Sequence, residues 1–306
     1  MRDERVPTRR PRDRPLHGAP SPPSRLHPAL YMAEFIGTAL LVLLGVSVVI
    51  LMFGQGSPGS RLIPAEGLRL FLTGGLFGSV GALIAISPVG RISGAHINPA
   101  VTLAFWLEGK LAWRDAALYM LAQFAGSVVG AVPLLAWGPM GQSVAFGATQ
   151  PGPHVPAWAA MLGEAGVTFL LILAILTTAA HSRTRRFTPL VMPAVLSVLV
   201  WLEAPISGAS ANPARSFGPA LVANVPVDPW IYLLGPSFGA ILYVVLVRLE
   251  AVRLPRVTVA LVPLPCRGLI TKERARHNSA SACCASRTVF RRGCLKVTSW
   301  PHRCSQ

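Results

Sequence analysis

The sequence predicts an all-α membrane protein: six transmembrane helices plus two re-entrant half-helices, arranged as two inverted three-helix repeats. Three observations lead there. Only 13% of the 306 residues are charged while 52% are hydrophobic, about half the charge density of a soluble domain. Six stretches approach the roughly 20 apolar residues that cross a bilayer. One nine-residue motif recurs, once in each half of the chain.

The spans are expected at 31–53, 67–87, 114–136, 158–181, 188–203 and 230–249, the fifth being short. The first follows directly on an Arg- and Pro-rich extension, residues 1–30, and is long enough to remain in the membrane rather than be clipped as a leader. Gly- and Pro-rich loops such as 54–64 and 137–156 separate the spans. The tail, 250–306, is basic and Ser-rich with no long apolar run, a composition that reads as disordered. Three parts follow: an N-terminal extension (1–30), a membrane body (31–249) and a tail (250–306). All five cysteines (Cys266, Cys283, Cys284, Cys294 and Cys304) fall in the tail, so the body cannot depend on disulfides. With His277 and His302 nearby, their spacings match no standard zinc pattern. No metal or other cofactor is expected.

Charge sets the orientation. Residues 1–30 carry seven Arg against three acids, and 250–306 carry eleven bases against Glu250 and Glu273. Flanking a hydrophobic body, such ends point to anionic lipid and the cytoplasm rather than to nucleic acid. Arg91, Lys110 and Arg114 lie between the second and third spans, and Arg183, Arg185 and Arg186 between the fourth and fifth. Six crossings put both loops on the side of the termini, which the positive-inside rule places in the cytoplasm.

The repeat is explicit. Ile92-Ser-Gly-Ala-His-Ile-Asn-Pro-Ala100 aligns with Ile206-Ser-Gly-Ala-Ser-Ala-Asn-Pro-Ala214, and the segment 119–126 resembles 232–239. Glu34 and Glu164 open the two halves in matching positions. Three helices per half is an odd number, so the second half must run inverted, a transport architecture. After each Asn-Pro an apolar stretch (103–107, 217–222) is too short to span and is read as re-entrant, the two entering from opposite faces.

Those elements carry the chemistry. Pro at the first helical position is preorganised and Asn before it is a good cap. Asn98, Pro99 and Ala100, and Asn212, Pro213 and Ala214, therefore start two half-helices whose N-termini meet in the middle. Each contributes about half a positive charge, which repels cations and protons while the Asn amides offer donors to a passing oxygen. The stretches 93–97, with Gly94 and His96, and 207–211, with Gly208, are small and non-helical. Such backbone is tolerated at membrane depth only where it is buried or lines a wet cavity, so its carbonyls are expected to form an acceptor ladder.

The Ser-Gly-Ala-His-x-Asn-Pro-Ala-Val-Thr (93–102) and Ser-Gly-Ala-Ser-x-Asn-Pro-Ala-Arg-Ser (207–216) segments resemble the two signatures of the major intrinsic protein family, the aquaporins and glycerol facilitators, and are closest to its bacterial and nodulin-like members. The resemblance covers about 31–249. It implies a homotetramer with one pore per subunit, conducting water or small uncharged solutes such as glycerol. It places the selectivity constriction at Arg215, Ala209, Val200 and one residue of the second helix. One extra residue before the first motif leaves that last position open between Phe77, which would narrow the pore, and Gly78, which would leave it wide. Val200 departs from the His of strict water channels, and Ser216 from the Asp of glycerol facilitators. Two small apolar walls suit polyols as well as water.

Other readings compete. Glu34 and Glu164 could be proton carriers of a coupled transporter, although matching positions favour buried acceptors for the pore loops. His96 could line the pore or simply pack; Glu203 could line the outer vestibule or be an ordinary helix-end acid. The glycines of the second and third helices could be pore features or close-approach sites. A junction or adhesion protein would need a sticky outer surface, which the loops lack. The body shows no nucleophile–base pair or metal-ligand cluster, so an enzyme is not expected.

Overall fold

The computed structural model describes residues 26–249 except 182, 226 and 227. Nearly all of the N-terminal extension, and the tail with its five cysteines, lie outside the described residues. Helix α1 (Pro28–Phe53) opens with Pro at its first turn, where the missing N–H costs nothing. A short α2 (Pro58–Leu62), capped by Ser57, leads into α3 (Glu66–Ile86). Ser87 and Pro88 then break the chain and start α4 (Pro88–Ser93). The half-helix α5 (Pro99–Leu107) follows, then α6 (Trp113–Ala131), which continues as a 3-10 turn to Trp137, and a short α7 (Gly138–Gln142). The second half runs α8 (Ala157–Ala180), α9 (Thr188–Ser207), the half-helix α10 (Pro213–Ala223) and α11 (Pro229–Arg248).

Among the described residues, six helices are long and apolar enough to cross a membrane. The fifth is longer than expected: α9 carries Pro205 within its last turn and ends at Ser207, where Gly208 takes the left-handed conformation, φ 88°. Glu203 and Pro205 look like a helix end in sequence, yet a proline near a C-terminus removes only one helical bond.

Helices meet where they carry glycine. On α6, a Cβ at Gly126 or Gly130 would collide with the Phe35 or Ala39 carbonyl of α1. On α11, a Cβ at Gly235 or Gly239 would collide with α8 in the same manner. Gly74 and Gly78 of α3 abut Leu196 and Pro193 of α9. These are the close-approach contacts that membrane helices use in place of a hydrophobic driving force. The half-helix α5 buries Ala100, Val101 and Ala104 against Ile172 and Leu176 of α8 and Tyr243 of α11. Each half-helix thus sits beside spans of the repeat that did not produce it, with α10 held against α6 through Gly218 and Ser127. The two half-helix N-termini are thereby brought to one place.

Candidate pore

Asn98 and Asn212 take extended conformations, φ −156° and −154°, one residue before the prolines. Asn98 Oδ1 accepts from Ala100 N at 2.8 Å; Asn212 Oδ1 accepts from Ala214 N at 3.0 Å and Arg215 N at 3.3 Å. The amide nitrogens reach across: Asn98 Nδ2 donates to the Ala211 carbonyl at 2.8 Å, and Asn212 Nδ2 to the Ile97 carbonyl at 2.9 Å. Each cap therefore ties its own helix to the opposite loop. An amide nitrogen has two hydrogens, and both Asn line a central cavity, so one donor of each remains for an occupant of that cavity.

The loops that reach these caps are unusual backbone. Gly94, Ala95 and Ile97 have φ of 89°, 51° and 40°; Gly208, Ala209 and Ala211 have 88°, 49° and 49°. Positive φ is sterically poor for residues that carry a Cβ, and only external bonds can sustain four such residues. Two buried carboxylates supply them. Glu34 accepts from His96 N (3.0 Å), Ile97 N (2.6 Å) and Gln123 Nε2 (2.7 Å). Glu164 accepts from Ser210 N (2.7 Å), Ala211 N (2.8 Å) and Ser207 Oγ (2.6 Å). Tyr119 and Tyr232 complete the pairing, their hydroxyls donating to the Ser93 and Ser207 carbonyls. His96 stacks on Phe105 with ring centroids 4.4 Å apart, sets Nδ1 3.2 Å from Thr102 Oγ1, and lines the cavity.

That cavity, about 460 Å³, runs from Phe53 and Glu66 past the paired Asn to Phe105 and Thr188. Arg215 lines it at 6% exposure and donates from Nη1 to the Gly147 carbonyl at 2.7 Å. Among the described residues that is the one acceptor its side chain meets, so most of its five donors are open to the cavity. Val200 and Ala209 line the same cavity. On α3 the two alternatives separate: the Phe77 ring centre lies 5.8 Å from the Arg215 guanidinium carbon, whereas a Cβ on Gly78 would meet Pro193 Cα at 2.7 Å. The side-chain direction at 77 is toward Arg215; at 78 it is into a helix contact.

Two features were missed. The loop 143–156 touches Arg215 through a backbone carbonyl, which no side-chain pattern encodes. Glu203, read as a vestibule or helix-end acid, is instead 8% exposed and packed on Gly163, with the Ser207 hydroxyl and the Ala209 N–H close by but neither oxygen in a well-formed hydrogen bond among the described residues. A buried carboxyl without a well-formed hydrogen bond is destabilising. Glu203→Leu is accordingly expected to stabilise the protein by about 1–3 kcal/mol, read as a higher melting temperature in detergent; a lower one would show that Glu203 has a partner in the assembled protein.

The family model described as Major intrinsic protein matches residues 27–246. Over 69% of this chain and 92% of the relative, the sequence is 35% identical to aquaporin AqpM of Methanothermobacter marburgensis. It is also 35% identical to aquaporin NIP1-3 of Oryza sativa, over 69% of each chain. Among solved structures, the aquaglyceroporin from Plasmodium falciparum superposes with a TM-score of 0.58 at 22% identity, covering 71% of this chain and 94% of that one; at that identity the likeness concerns the fold.

Proposed function

The chain belongs to the major intrinsic protein family of multi-pass membrane channels, and on that premise we propose that it conducts water and small uncharged solutes while excluding ions and protons. The observation that carries this reading is the junction of the two half-helices. Two helix N-termini, each worth about half a positive charge, point into one cavity beside the spare amide hydrogens of Asn98 and Asn212. A neutral oxygen entering there meets donors at the centre and loop carbonyls on either side, which replace its hydration; a cation meets repulsion. Water would pass in single file between those partners, unable to keep a donor chain running through the centre.

Phe77, Val200, Ala209 and Arg215 form the proposed filter, with one cationic donor facing apolar walls. With the Phe77 ring in that ring of residues, water is favoured over glycerol, narrower than the two small walls alone suggest. We further propose a homotetramer with a pore in each subunit and both termini in the cytoplasm by the positive-inside rule.

Arg215→Ala and Asn212→Asp test the barrier. Either is expected to raise proton leak into liposomes under an imposed potential by at least about tenfold, since even ~1.4 kcal/mol off a barrier is tenfold in rate. Wild-type leak in both variants, with water flux retained, would remove the pore from these residues.

A further inference from the structure

Arg215 owes its orientation to the carbonyl of Gly147 at 2.7 Å, so whatever fixes Gly147 fixes the filter. Gly147 follows Ala145 and Phe146 in a run of three left-handed residues, φ 47°, 47° and 71°. Two of the three carry a Cβ, and such a run persists only where neighbours hold it. Phe146 is anchored against Gly141 on one side of the run. On the other side, two residues past Gly147, Thr149 is 3% exposed and its Oγ1 lies 2.6 Å from Ser216 Oγ. Ser216 is the residue after Arg215, so the loop grips the filter segment at two adjacent positions, once by a carbonyl and once by a hydroxyl.

The direction of the hydroxyl chain follows from proton counting. Ser210 Oγ donates to the Asn212 carbonyl at 2.9 Å, which spends its one hydrogen. Its 2.5 Å contact with Ser216 then requires Ser216 to donate. The Ser216–Thr149 contact in turn requires Thr149 to donate. The chain runs one way, from Thr149 through Ser216 and Ser210 to the carbonyl of the Asn that caps α10, and Thr149 is its head. In the first half the matching hydroxyl, Thr102, meets His96 Nδ1 at 3.2 Å and accepts from Gln123 Nε2 of α6 at 3.0 Å, so there a spanning helix, not a loop, supplies the donor.

We propose that Thr149 is a positioning residue for selectivity: its hydroxyl holds the loop so that the Gly147 carbonyl keeps Arg215 aimed across the constriction. Thr149→Val matches the side chain in shape and removes only the hydroxyl. With the loop released, Arg215 loses its fixed acceptor and the constriction loosens. This rests on Arg215 being the filter residue.

The test is the ratio of glycerol to water permeability in proteoliposomes, measured by stopped-flow light scattering. Thr149→Val is expected to raise the ratio roughly fivefold, the weight of one buried hydrogen bond, while Thr149→Ser keeps it at the wild-type value. Added to Arg215→Ala, Thr149→Val is expected to change nothing further, because it acts through that residue. Ser216→Ala, which removes the acceptor from the other side, is expected to shift the ratio in the same direction and serves if the Val variant does not assemble. A Thr149→Val channel whose water and glycerol fluxes fall together at constant ratio would overturn the proposal and leave Thr149 a structural residue. Failure of Thr149→Ser to restore the ratio would do the same. An unchanged ratio in Arg215→Ala itself would overturn the filter reading, and the present inference with it; an altered ratio there with an unaltered Thr149→Val would overturn this inference alone.

Discussion

Exchanging Glu164 for alanine is expected to abolish most water flux and to cost the folded protein at least about 3 kcal/mol. The carboxylate is fully buried and accepts from Ser210 N, Ala211 N and Ser207 Oγ, all within 2.8 Å. Hydrogen bonds to a charged group are worth about 1.5–3 kcal/mol each, and donors left unpaired in the interior add their own penalty. The same bonds sustain the left-handed residues Ala209 and Ala211, so without them the loop can relax into a cheaper conformation and no longer line the cavity as it does. Glutamine is not a rescue. The two backbone N–H groups converge on different oxygens, and an amide presents only one acceptor beside an NH2. Glu34→Ala is expected to act alike, through His96, Ile97 and Gln123. Thermal melting in detergent and stopped-flow shrinkage of liposomes measure the two effects. A Glu164→Ala protein that melts and conducts as wild type would make this carboxylate a bystander. A strut of this kind is also poorly suited to carrying protons through a cycle, because both oxygens are committed to backbone that would have to let go at every turnover.

Much of this was legible in the sequence because the signals are local. Asn-Pro at a helix start is cap chemistry that needs no tertiary context, and two copies in matching surroundings carry the inverted repeat with them. Glu34 and Glu164 could be matched as acceptors from their equivalent positions alone. The choice between Phe77 and Gly78 could not. Counting back from Ile92 assumes one continuous helix, and the chain breaks at Ser87 and Pro88, between the two. Facing there depends on how α3 crosses α9, a contact between residues about 115 apart in sequence. Glu203 misled for a related reason: near a proline and a loop it resembles a solvated end, while Gly163 on a separate helix is what makes room to bury it. The Gly147 carbonyl is beyond any motif, since every residue has one.

Phe77→Ala is expected to raise glycerol permeability by about tenfold or more, equivalent to ~1.4 kcal/mol off the crossing barrier, with little change in water flux. The ring fills the space between Gly45 of α1, where an added Cβ would fall 2.6 Å from its edge, and the Arg215 guanidinium, 5.8 Å from its centre. Its removal takes away the largest wall opposite Arg215 while leaving Val200 and Ala209 in place, and these are too small to close the gap. Water, already able to pass, gains little from width; a three-carbon polyol gains clearance for its backbone and a shorter reach to the Arg215 donors. Gly78→Ala provides the contrast. A methyl there meets Pro193 Cα at 2.7 Å and the Met192 carbonyl at 3.1 Å, so it strains the α3–α9 contact and lowers the yield of folded channel without altering the glycerol-to-water ratio of what remains. The two substitutions thus separate pore width from helix packing, on neighbouring residues of one helix turn. An unchanged ratio in Phe77→Ala, together with a changed ratio in a well-folded Gly78→Ala protein, would move the constriction from the phenyl ring to the glycine and make the wild-type channel a wide one.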